Sequence, residues 1–440
     1  MIRKPDPDCA GTTSSTRDWT RRDFLGESVR RGSALSAGLA LPGLGLDGPL
    51  LAAGPATTGG PGAPVGIRRR GTLGRTGIEI PDISFGTFSL EHDEKLVLHA
   101  LDRGVTHFDT AEGYTEGRAE EVLGRALRGR RHEVTLTSKF WANPDHSAAH
   151  QMKVLETSLR RLGTDYVDLY LNHAVNEIER LDSPEWQAFA ERAKREGKIR
   201  AIGMSGHSGR LVDCLAHAID RKLVDVILVA YNFSQTPSYQ EQVKRYLQDL
   251  AASFDFVTTQ PLLPEMLRRA KAAGIGVMVM KTLQGARKND MRPFEGPGRT
   301  FAQAAFRWVL AEPAIDGLVV SMTSRVMVDE YVEASGSGPP DLADLALLAR
   351  YESRHAATSC VVGCGDCVSA CPAQVAIPDV MRTRMYARDY GIPAIAARAY
   401  GAIGVNAAAC LACSGEPCAN ACPRGIPIAA WNRETHRSLG

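Results

Sequence analysis

Four side chains of the kinds that move protons follow apolar runs in the first half of the chain. Asp109 and Tyr114 lie in Phe-Asp-Thr-Ala-Glu-Gly-Tyr, Lys139 in Thr-Ser-Lys-Phe-Trp, and His173 in Leu-Tyr-Leu-Asn-His. A phenol ionises at a pH of about 10 in water, and a nearby ammonium held by a carboxylate favours the phenolate. Each residue alone has an ordinary interpretation, such as a helix cap or a polar group at a strand end. If the four meet in space, they predict acid–base chemistry on a substrate oxygen.

A second group is formed by cysteine, because eight of the ten cysteines fall within residues 360–422. Each of two runs ends in Cys-Pro, and the runs are Cys360, Cys364, Cys367 and Cys371, then Cys410, Cys413, Cys418 and Cys422. They resemble the runs of bacterial two-cluster ferredoxins, although one gap in each run is longer than in that pattern.

The ferredoxin resemblance implies two [4Fe–4S] clusters, because the fourth cysteine of each ferredoxin run serves the other cluster. It implies that Cys422 joins Cys360, Cys364 and Cys367, and that Cys371 joins Cys410, Cys413 and Cys418. Zinc, which also takes four thiolates, and disulfides, which form in oxidising compartments, are the alternatives. The paired Cys-Pro ends favour clusters over both.

Eight strand-length apolar runs that alternate with helical patterns would position the first four residues. The predicted strands are residues 82–88, 106–110, 133–140, 167–173, 201–205, 224–231, 276–280 and 317–321. Helical patterns include 95–103, 119–127, 148–162 and 186–194, and a long connection, 239–264, follows the sixth strand. Such repeats predict a (β/α)8 TIM barrel, an α/β fold whose chemistry gathers at the carboxyl ends of the strands.

Residues 71–336 resemble the aldo-keto reductases in the four segments above, in Leu73-Gly-Arg-Thr-Gly and in Gly197-Lys-Ile-Arg-Ala-Ile-Gly. The resemblance implies that Tyr114 is the general acid, that Lys139 and Asp109 support it, and that His173 orients a carbonyl. It implies hydride transfer between a nicotinamide cofactor and a small carbonyl or alcohol substrate. A retained but idle set of four residues in a repurposed barrel is the alternative.

The same resemblance implies a site for NAD or NADP. The residues assigned to it are Gly86, Thr87, Ser205, Gly206, Tyr231, Lys281, Thr282, Leu283, Gly285, Ser321, Met322 and Thr323. Two contacts to the nicotinamide amide are missing, because Gly206 stands where the family has Asn and Leu228 where it has Gln. Met327 stands where an arginine commonly binds the adenosine 2′-phosphate, which favours NAD.

The amino terminus resembles an export signal. Thr-Arg-Arg-Asp-Phe-Leu occupies residues 20–25, and a run rich in Ala, Leu and Gly follows at 33–46. This is a twin-arginine pattern, and the run is shorter than the roughly 20 apolar residues of a membrane span. We predict a signal peptide over 1–55, a linker over 56–70, and a periplasmic or extracytoplasmic protein that crosses the twin-arginine (Tat) translocon. The alternative is a basic tail with an accidental arginine pair.

Composition and charge narrow the remaining interpretations. A formal net charge of +2 without a long basic run argues against a nucleic-acid partner. A linker and helix over 337–358 would lead to a small α-rich ferredoxin-like domain over 359–440. The first hypothesis is an exported oxidoreductase with tightly bound nicotinamide, whose clusters relay electrons to a partner. The second is a barrel that binds a ligand without turning it over, with clusters that are structural or dock an electron-transfer partner.

Overall fold

The computed structural model describes residues 65–207, 210–235, 262–283, 291–355, 360, 364–388 and 393–440. The predicted signal peptide, most of the predicted linker over 56–70, most of the connection over 239–264, and Gly285 lie outside these residues.

The described chain begins with a two-stranded antiparallel hairpin, β1 (Arg70–Thr72) and β2 (Glu79–Pro81). Eight parallel strands then close a barrel in which each strand pairs with the next and the last returns to the first. They are β3 (Ile83–Gly86), β4 (His107–Asp109), β5 (Thr135–Phe140), β6 (Val167–Asn172), β7 (Ile199–Gly206), β8 (Val226–Ala230), β9 (Gly276–Met280) and β10 (Gly317–Ser321). The predicted barrel is confirmed, and each of its eight strands overlaps its predicted range, whereas the hairpin strands β1 and β2 were not predicted.

The barrel interior is apolar. Leu169, Leu228 and Met278 point inward and pack with Leu73 and Ile80 of the hairpin segment. Because successive side chains of a strand point to opposite faces, the residues between them join the outer core beneath the helices. With the interior filled by apolar side chains, polar chemistry is confined to the strand ends.

Helices cover the outside of the barrel, and their ends follow local capping rules. α3, for example, begins after Ser147, whose hydroxyl accepts from the N–H of His150, and ends at Gly163 in the left-handed region. Within the described ranges these helices are α1 (Glu94–Asp102), α2 (Arg118–Ala126), α3 (Ala148–Leu162), α4 (Pro184–Arg195), α5 (Leu211–Asp220), α6 (Leu262–Ala272), α7 (Phe301–Leu310) and α8 (Arg325–Val332).

The segment after the barrel, predicted as a linker, is packed against the barrel. The hydroxyl of Ser335 donates to Asp82 Oδ1 at 2.6 Å, because this buried carboxylate needs donors. Helix α9 (Leu342–His355) follows and packs on α7, where the ring of Tyr351 stacks on Phe301 with centroids 4.1 Å apart. Composition predicted a linker and a helix over 337–358, and the helix in this range packs against the barrel.

The carboxyl-terminal region is helical and has an apolar core of its own. Its helices are α10 (Asp366–Ser369), α11 (Ile377–Arg388), α12 (Pro393–Gly401), α13 (Pro417–Asn420) and α14 (Ile428–Leu439). A short helix inside each cysteine run, a Cys-Pro end and a longer helix occur twice in the same order. None of the helices in the described ranges has the length and apolar character needed to cross a bilayer.

Candidate active site

The four predicted acid–base residues meet at the carboxyl end of the barrel. The Nζ of Lys139 donates to Asp109 Oδ1 at 2.7 Å, to the carbonyl of Thr110 at 2.6 Å and to Tyr114 Oη at 3.3 Å. The rings of Tyr114 and His173 meet edge to face with centroids 5.7 Å apart. Because β4, β5 and β6 are neighbouring parallel strands, their carboxyl ends bring these side chains together.

Burial controls the charges of the central ion pair. Asp109 and Lys139 are 3% and 1% exposed. Burial raises the pKa of Asp109 and lowers the pKa of Lys139, and the attraction between them opposes both shifts. All three ammonium protons have acceptors, one of which is the oxygen of Tyr114. The proton carried by the Tyr114 hydroxyl is therefore the one that can be given to a substrate.

His173 is neutral at physiological pH. Burial, followed by four cations, lowers the pKa of His173 well below its usual value; the cations are Lys139, Arg180, Arg382 and Lys281. A neutral imidazole carries one N–H, so it can donate a hydrogen bond to a carbonyl oxygen.

A buried guanidinium shapes the strand end that carries His173. Arg180 is 1% exposed. It donates at 2.6 to 2.9 Å to the carbonyls of Ala142, His173 and Ala174 and to Asn172 Oδ1. Ala174 has a φ of 53°, a left-handed conformation that an alanine adopts only when its surroundings impose it. Arg180 is thus a positioning residue for His173, and no sequence motif had marked it.

The positions that correspond to the nicotinamide amide site offer few donors. The hydroxyl oxygen of Ser205 accepts from the N–H of Ala174 at 2.9 Å, so it holds the turn after β6. A Cβ on Gly206 would lie 2.6 Å from Cδ1 of Leu211, which fills the space that a longer side chain would need. Leu228 is fully buried inside the barrel. No side-chain amide stands at either position.

Tyr231 points away from the mouth, in contrast to its assignment to the cofactor site. Its ring stacks on Trp308 with centroids 5.5 Å apart, and the residue is 2% exposed. Leu228 points into the barrel, so Tyr231, three residues further along the chain, points to the outer layer. Residue type matched the family pattern, but orientation did not.

The loop after β9 has side chains that suit an anionic group, unlike the positions of the nicotinamide amide site. Thr282 is 1% exposed, and its hydroxyl has no hydrogen-bond partner among the described residues. Lys281 precedes it with a φ of 58°, and the side-chain amide of Asn232 donates to the Lys281 carbonyl at 3.2 Å. An unpaired buried hydroxyl beside a cation fits the phosphates of a dinucleotide.

The other assigned cofactor residues surround the adjoining ends of β3 and β10. A Cβ on Gly86 would lie 3.2 Å from Cγ1 of Val319, so the two strands approach closely. The hydroxyl of Thr87 donates to the carbonyl of Asp109 at 3.0 Å. Ser321 is half-buried, Met322 buried, Thr323 exposed and Leu283 half-buried.

Helix α11 of the carboxyl-terminal region lies over the mouth. Arg382 and Tyr386, one helical turn apart, face the barrel. Nη1 of Arg382 lies 3.3 Å from Nδ1 of His207. The Tyr386 ring lies 5.8 Å from the ring of Phe88 and 5.1 Å from Nζ of Lys281.

Sequence reasoning missed His207, Arg382 and Tyr386. His207 directly follows the end of β7, so its strand-end position was a usable signal. Arg382 and Tyr386 carried no such signal.

The two cysteine runs interleave. Cys360, Cys364 and Cys367 line one hollow together with Cys422 of the second run. In the other set, the thiols of Cys371 and Cys413 lie near those of Cys410 and Cys418. Burial raises the pKa of Cys410 and Cys418, and the two neighbouring thiols raise it further. All nine described cysteines are free of disulfides, and Cys9 lies outside the described residues. Among the described residues, no three His, Cys, Asp or Glu side chains converge on a single metal ion.

Comparison with known proteins identifies the family of the barrel. The aldo/keto reductase family model matches residues 73–339. The uncharacterized oxidoreductase YqkF of Bacillus subtilis is 25% identical over 291 residues, which cover 61% of this chain and 92% of that protein. The L-glyceraldehyde 3-phosphate reductase of Escherichia coli K12 is 24% identical over 300 residues, with coverage of 59% and 86%. A solved putative aldo-keto reductase from Pseudomonas aeruginosa is 26% identical, with a TM-score of 0.47 and coverage of 61% and 94%. Since the family model spans more than half of it, the chain belongs to the aldo/keto reductase family of NAD(P)-dependent oxidoreductases.

Proposed function

We propose that this chain transfers hydride between a tightly bound nicotinamide cofactor and a small carbonyl or alcohol substrate. The observation that carries the proposal is the buried ammonium of Lys139, which joins the carboxylate of Asp109 to the hydroxyl of Tyr114. A buried ion pair is weak evidence for stability, because its desolvation offsets its attraction. Its presence at the mouth of the barrel is better explained by catalysis.

In the reductive direction, the substrate carbonyl oxygen would lie between Tyr114 Oη and the ring of His173. Tyr114 gives its proton to that oxygen, and the ammonium of Lys139 stabilises the phenolate that remains. The neutral ring of His173 donates a hydrogen bond to the same oxygen and fixes its position. When bound, the nicotinamide supplies the hydride to the carbonyl carbon. In the oxidative direction the phenolate takes the proton of the alcohol.

The dinucleotide phosphates would be held by Lys281, Thr282, Ser321 and Thr323, since these groups stand at the ends of β9 and β10. Acid release of nucleotide from purified full-length protein, followed by mass spectrometry, tests this. We expect one nicotinamide nucleotide per chain. We expect NAD in preference to NADP, because the uncharged side chain of Met327 cannot form an ion pair with a 2′-phosphate. Protein that releases no such nucleotide and binds neither NADH nor NADPH on titration would rule the function out.

We further propose two [4Fe–4S] clusters, held by Cys360, Cys364, Cys367 and Cys422 and by Cys371, Cys410, Cys413 and Cys418. The hollow lined by three cysteines of one run and the last of the other supports this, because two-cluster ferredoxins exchange their fourth ligand in this way. Ile377, Met381 and Ile426 give the hollow an apolar lining. Such clusters would pass electrons one at a time to a partner.

Iron and sulfide analysis of anaerobically purified full-length protein, with Mössbauer spectroscopy, tests the clusters. Two clusters give roughly eight iron and eight sulfide ions per chain. Zinc without sulfide would contradict the proposal.

Export through the twin-arginine translocon to the periplasm is likewise a proposal, and it rests on residues 20–25 and 33–46, outside the described part of the chain. This route carries folded proteins whose metal centres are already assembled, which is compatible with clusters. Replacing Arg21 and Arg22 by Lys should retain the protein in the cytoplasm. Equal distribution of the wild type and the variant after cell fractionation would remove the proposal.

A second function is favoured by the absence of side-chain amides at Gly206 and Leu228. On that view the barrel binds a ligand without turning it over, and the clusters stabilise the fold or dock a partner. Nucleotide release distinguishes the two functions, because only the first requires a nicotinamide.

A further inference from the structure

A recess lies between the acid–base residues and helix α11. His173, His207, Lys281 and Tyr386 lie around it, and each of them is half-buried. Arg382, which is 7% exposed, contacts His207 from the side of α11.

The recess is rich in donors and in positive charge. Nη1 of Arg382 is engaged by Asp379 and His207, at 2.5 and 3.3 Å, whereas its Nε and Nη2 have no hydrogen-bond partner among the described residues. Nζ of Lys281 has no hydrogen-bond partner there either, and lies over the ring of Tyr386. Burial, and then cations that include Arg382, lowers the pKa of His173, His207 and Lys281.

This arrangement lacks an anion. The carboxylates at the recess are already committed, Asp109 to Lys139 and Asp379 to Arg382. Among the described residues Lys281 has no counter-charge, so it can attract a second anion as well as the dinucleotide phosphates assigned to it above, and one edge of the Arg382 guanidinium remains open. An Nε–Nη2 edge presents two parallel N–H groups, which match the two oxygens of a carboxylate.

We propose that Arg382 binds the carboxylate of the substrate, so that the enzyme acts on oxo acids or hydroxy acids and its active site is completed by the carboxyl-terminal region. This rests on the proposed hydride-transfer function. The carbonyl would face Tyr114 and His173, and the carboxylate would face Arg382 with Lys281 beside it. The pyrophosphate of a dinucleotide shares this chemistry, and the experiment separates the two sources.

The test uses the full-length, cluster-loaded protein and three variants, Arg382→Gln, Arg382→Lys and Arg388→Gln. Arg388 is the matched control, because it lies on the same helix, is exposed and pairs with Glu434 outside the recess. Substrates are tested in pairs that differ in the carboxylate, glyoxylate against glycolaldehyde and galacturonate against galactose. Binding of tartronate, which has two carboxylates and no aldehyde or ketone to reduce, is measured by calorimetry on protein loaded with NADH, so that this readout is independent of turnover.

We expect the wild type to prefer the acids. Loss of a charge-assisted hydrogen-bonded pair should raise KM for acids and the dissociation constant of tartronate by about 10- to 150-fold in Arg382→Gln, with kcat and the neutral substrates little changed. In Arg382→Lys both constants should lie between those of the wild type and Arg382→Gln, because lysine keeps the positive charge but lacks the two parallel N–H groups of the guanidinium. If Arg382→Gln does not fold, as judged by circular dichroism and iron content, Arg382→Lys decides the test.

Equal effects on acids and neutral substrates, or unchanged tartronate binding, would overturn the inference. Weaker binding of NADH with unchanged binding of tartronate would assign Arg382 to the cofactor and overturn it as well. If the wild type turns over no substrate, the hydride-transfer function fails. Tartronate binding and its loss in the Arg382 variants would still decide whether the recess recognises a carboxylate.

Discussion

Lys139 uses its three N–H groups on a carboxylate, a backbone carbonyl and a phenol, so its position is fixed by every bond that it can make. Tyr114, the proposed proton donor, contacts this ammonium and the rings of Phe88 and His173. The rigidity of the ammonium is what gives the phenol a defined direction.

Replacement of Tyr114 by Phe should lower kcat by about 10²- to 10⁴-fold, because it removes the general acid and leaves the ring packing in place. KM and the unfolding midpoint should change little. Steady-state kinetics with any identified substrate measures this, and Tyr166→Phe, away from the mouth, is the control. Unchanged turnover in Tyr114→Phe would exclude the phenol from catalysis.

Removal of the ammonium should be costly for stability as well as for activity. Lys139→Met leaves the buried Asp109 without a partner, and loss of one member of a buried pair costs about 3–5 kcal/mol. The double variant Lys139→Met with Asp109→Asn should recover most of that free energy of unfolding but none of the activity. Urea denaturation of the single and double variants measures the first effect. Full recovery of turnover in the double variant would contradict the assignment.

Lys281 should make the use of acidic substrates depend on pH. Burial, and then the charge of Arg382, lowers the pKa of Lys281 to about 7. The groups around it are Arg382, the imidazoles of His173 and His207, and the phenol of Tyr386. Below pH 7 the ammonium is present and attracts an anion, so kcat/KM for acids should fall as the pH rises through about 7. In Lys281→Met the fall in kcat/KM with rising pH should vanish. A fall that persists in this variant would show that another group causes it.

At the scale of elements, the end of β6 is decisive because it carries His173 into the mouth. That end is shaped by Arg180, which lies in a short turn before α4 and returns to bond the carbonyls around His173. Ser205 at the end of β7 holds the same turn from the other side. The imidazole is therefore positioned by two neighbouring elements as well as by its own strand.

Arg180→Met should disturb both stability and catalysis. It leaves several buried carbonyls unpaired, each at a cost of about 1–3 kcal/mol, and it frees the turn that follows His173. We expect a clear loss of free energy of unfolding and a fall in kcat that exceeds any change in KM. Arg200→Met, which removes a half-exposed arginine bonded to Asp168, is the control and should be nearly neutral. Normal kcat in a folded Arg180→Met protein would show that the turn does not position His173.

For the whole molecule, helix α11 is the element that contacts both candidate sites. Ile377 and Met381 of this helix line the cysteine hollow, while Arg382 and Tyr386 face the barrel mouth. One helix therefore contacts both candidate sites, so a change at the cysteines can reach the substrate recess through a single rigid element.

Loss of one proposed cluster should loosen that helix. Cys364→Ala should lower the iron content by about half and raise hydrogen exchange in residues 377–388, because the metal would no longer tie the cysteine runs together. Cys214→Ala, a change of the same kind in the wall of the barrel, is the control and should keep its iron. Unchanged hydrogen exchange in α11 after loss of iron would show that the order of this helix does not depend on the cysteine site.

Much of the barrel was readable from local patterns. Strand positions followed from apolar runs and their period, and a parallel barrel gathers residues at strand ends, so Asp109, Lys139 and His173 could be expected to converge. Residue order along a strand, however, does not state which face meets the lumen. For this reason Tyr231 matched in type while its ring packs outward against Trp308.

The sequence by itself determined the barrel, the family and the acid–base residues, because these depend on short segments whose chemistry and spacing are local. Only the tertiary structure decided what covers the mouth. The contact between Arg382 and His207 joins positions 175 residues apart. Such meetings depend on how separately formed regions pack, and no local period or propensity encodes them.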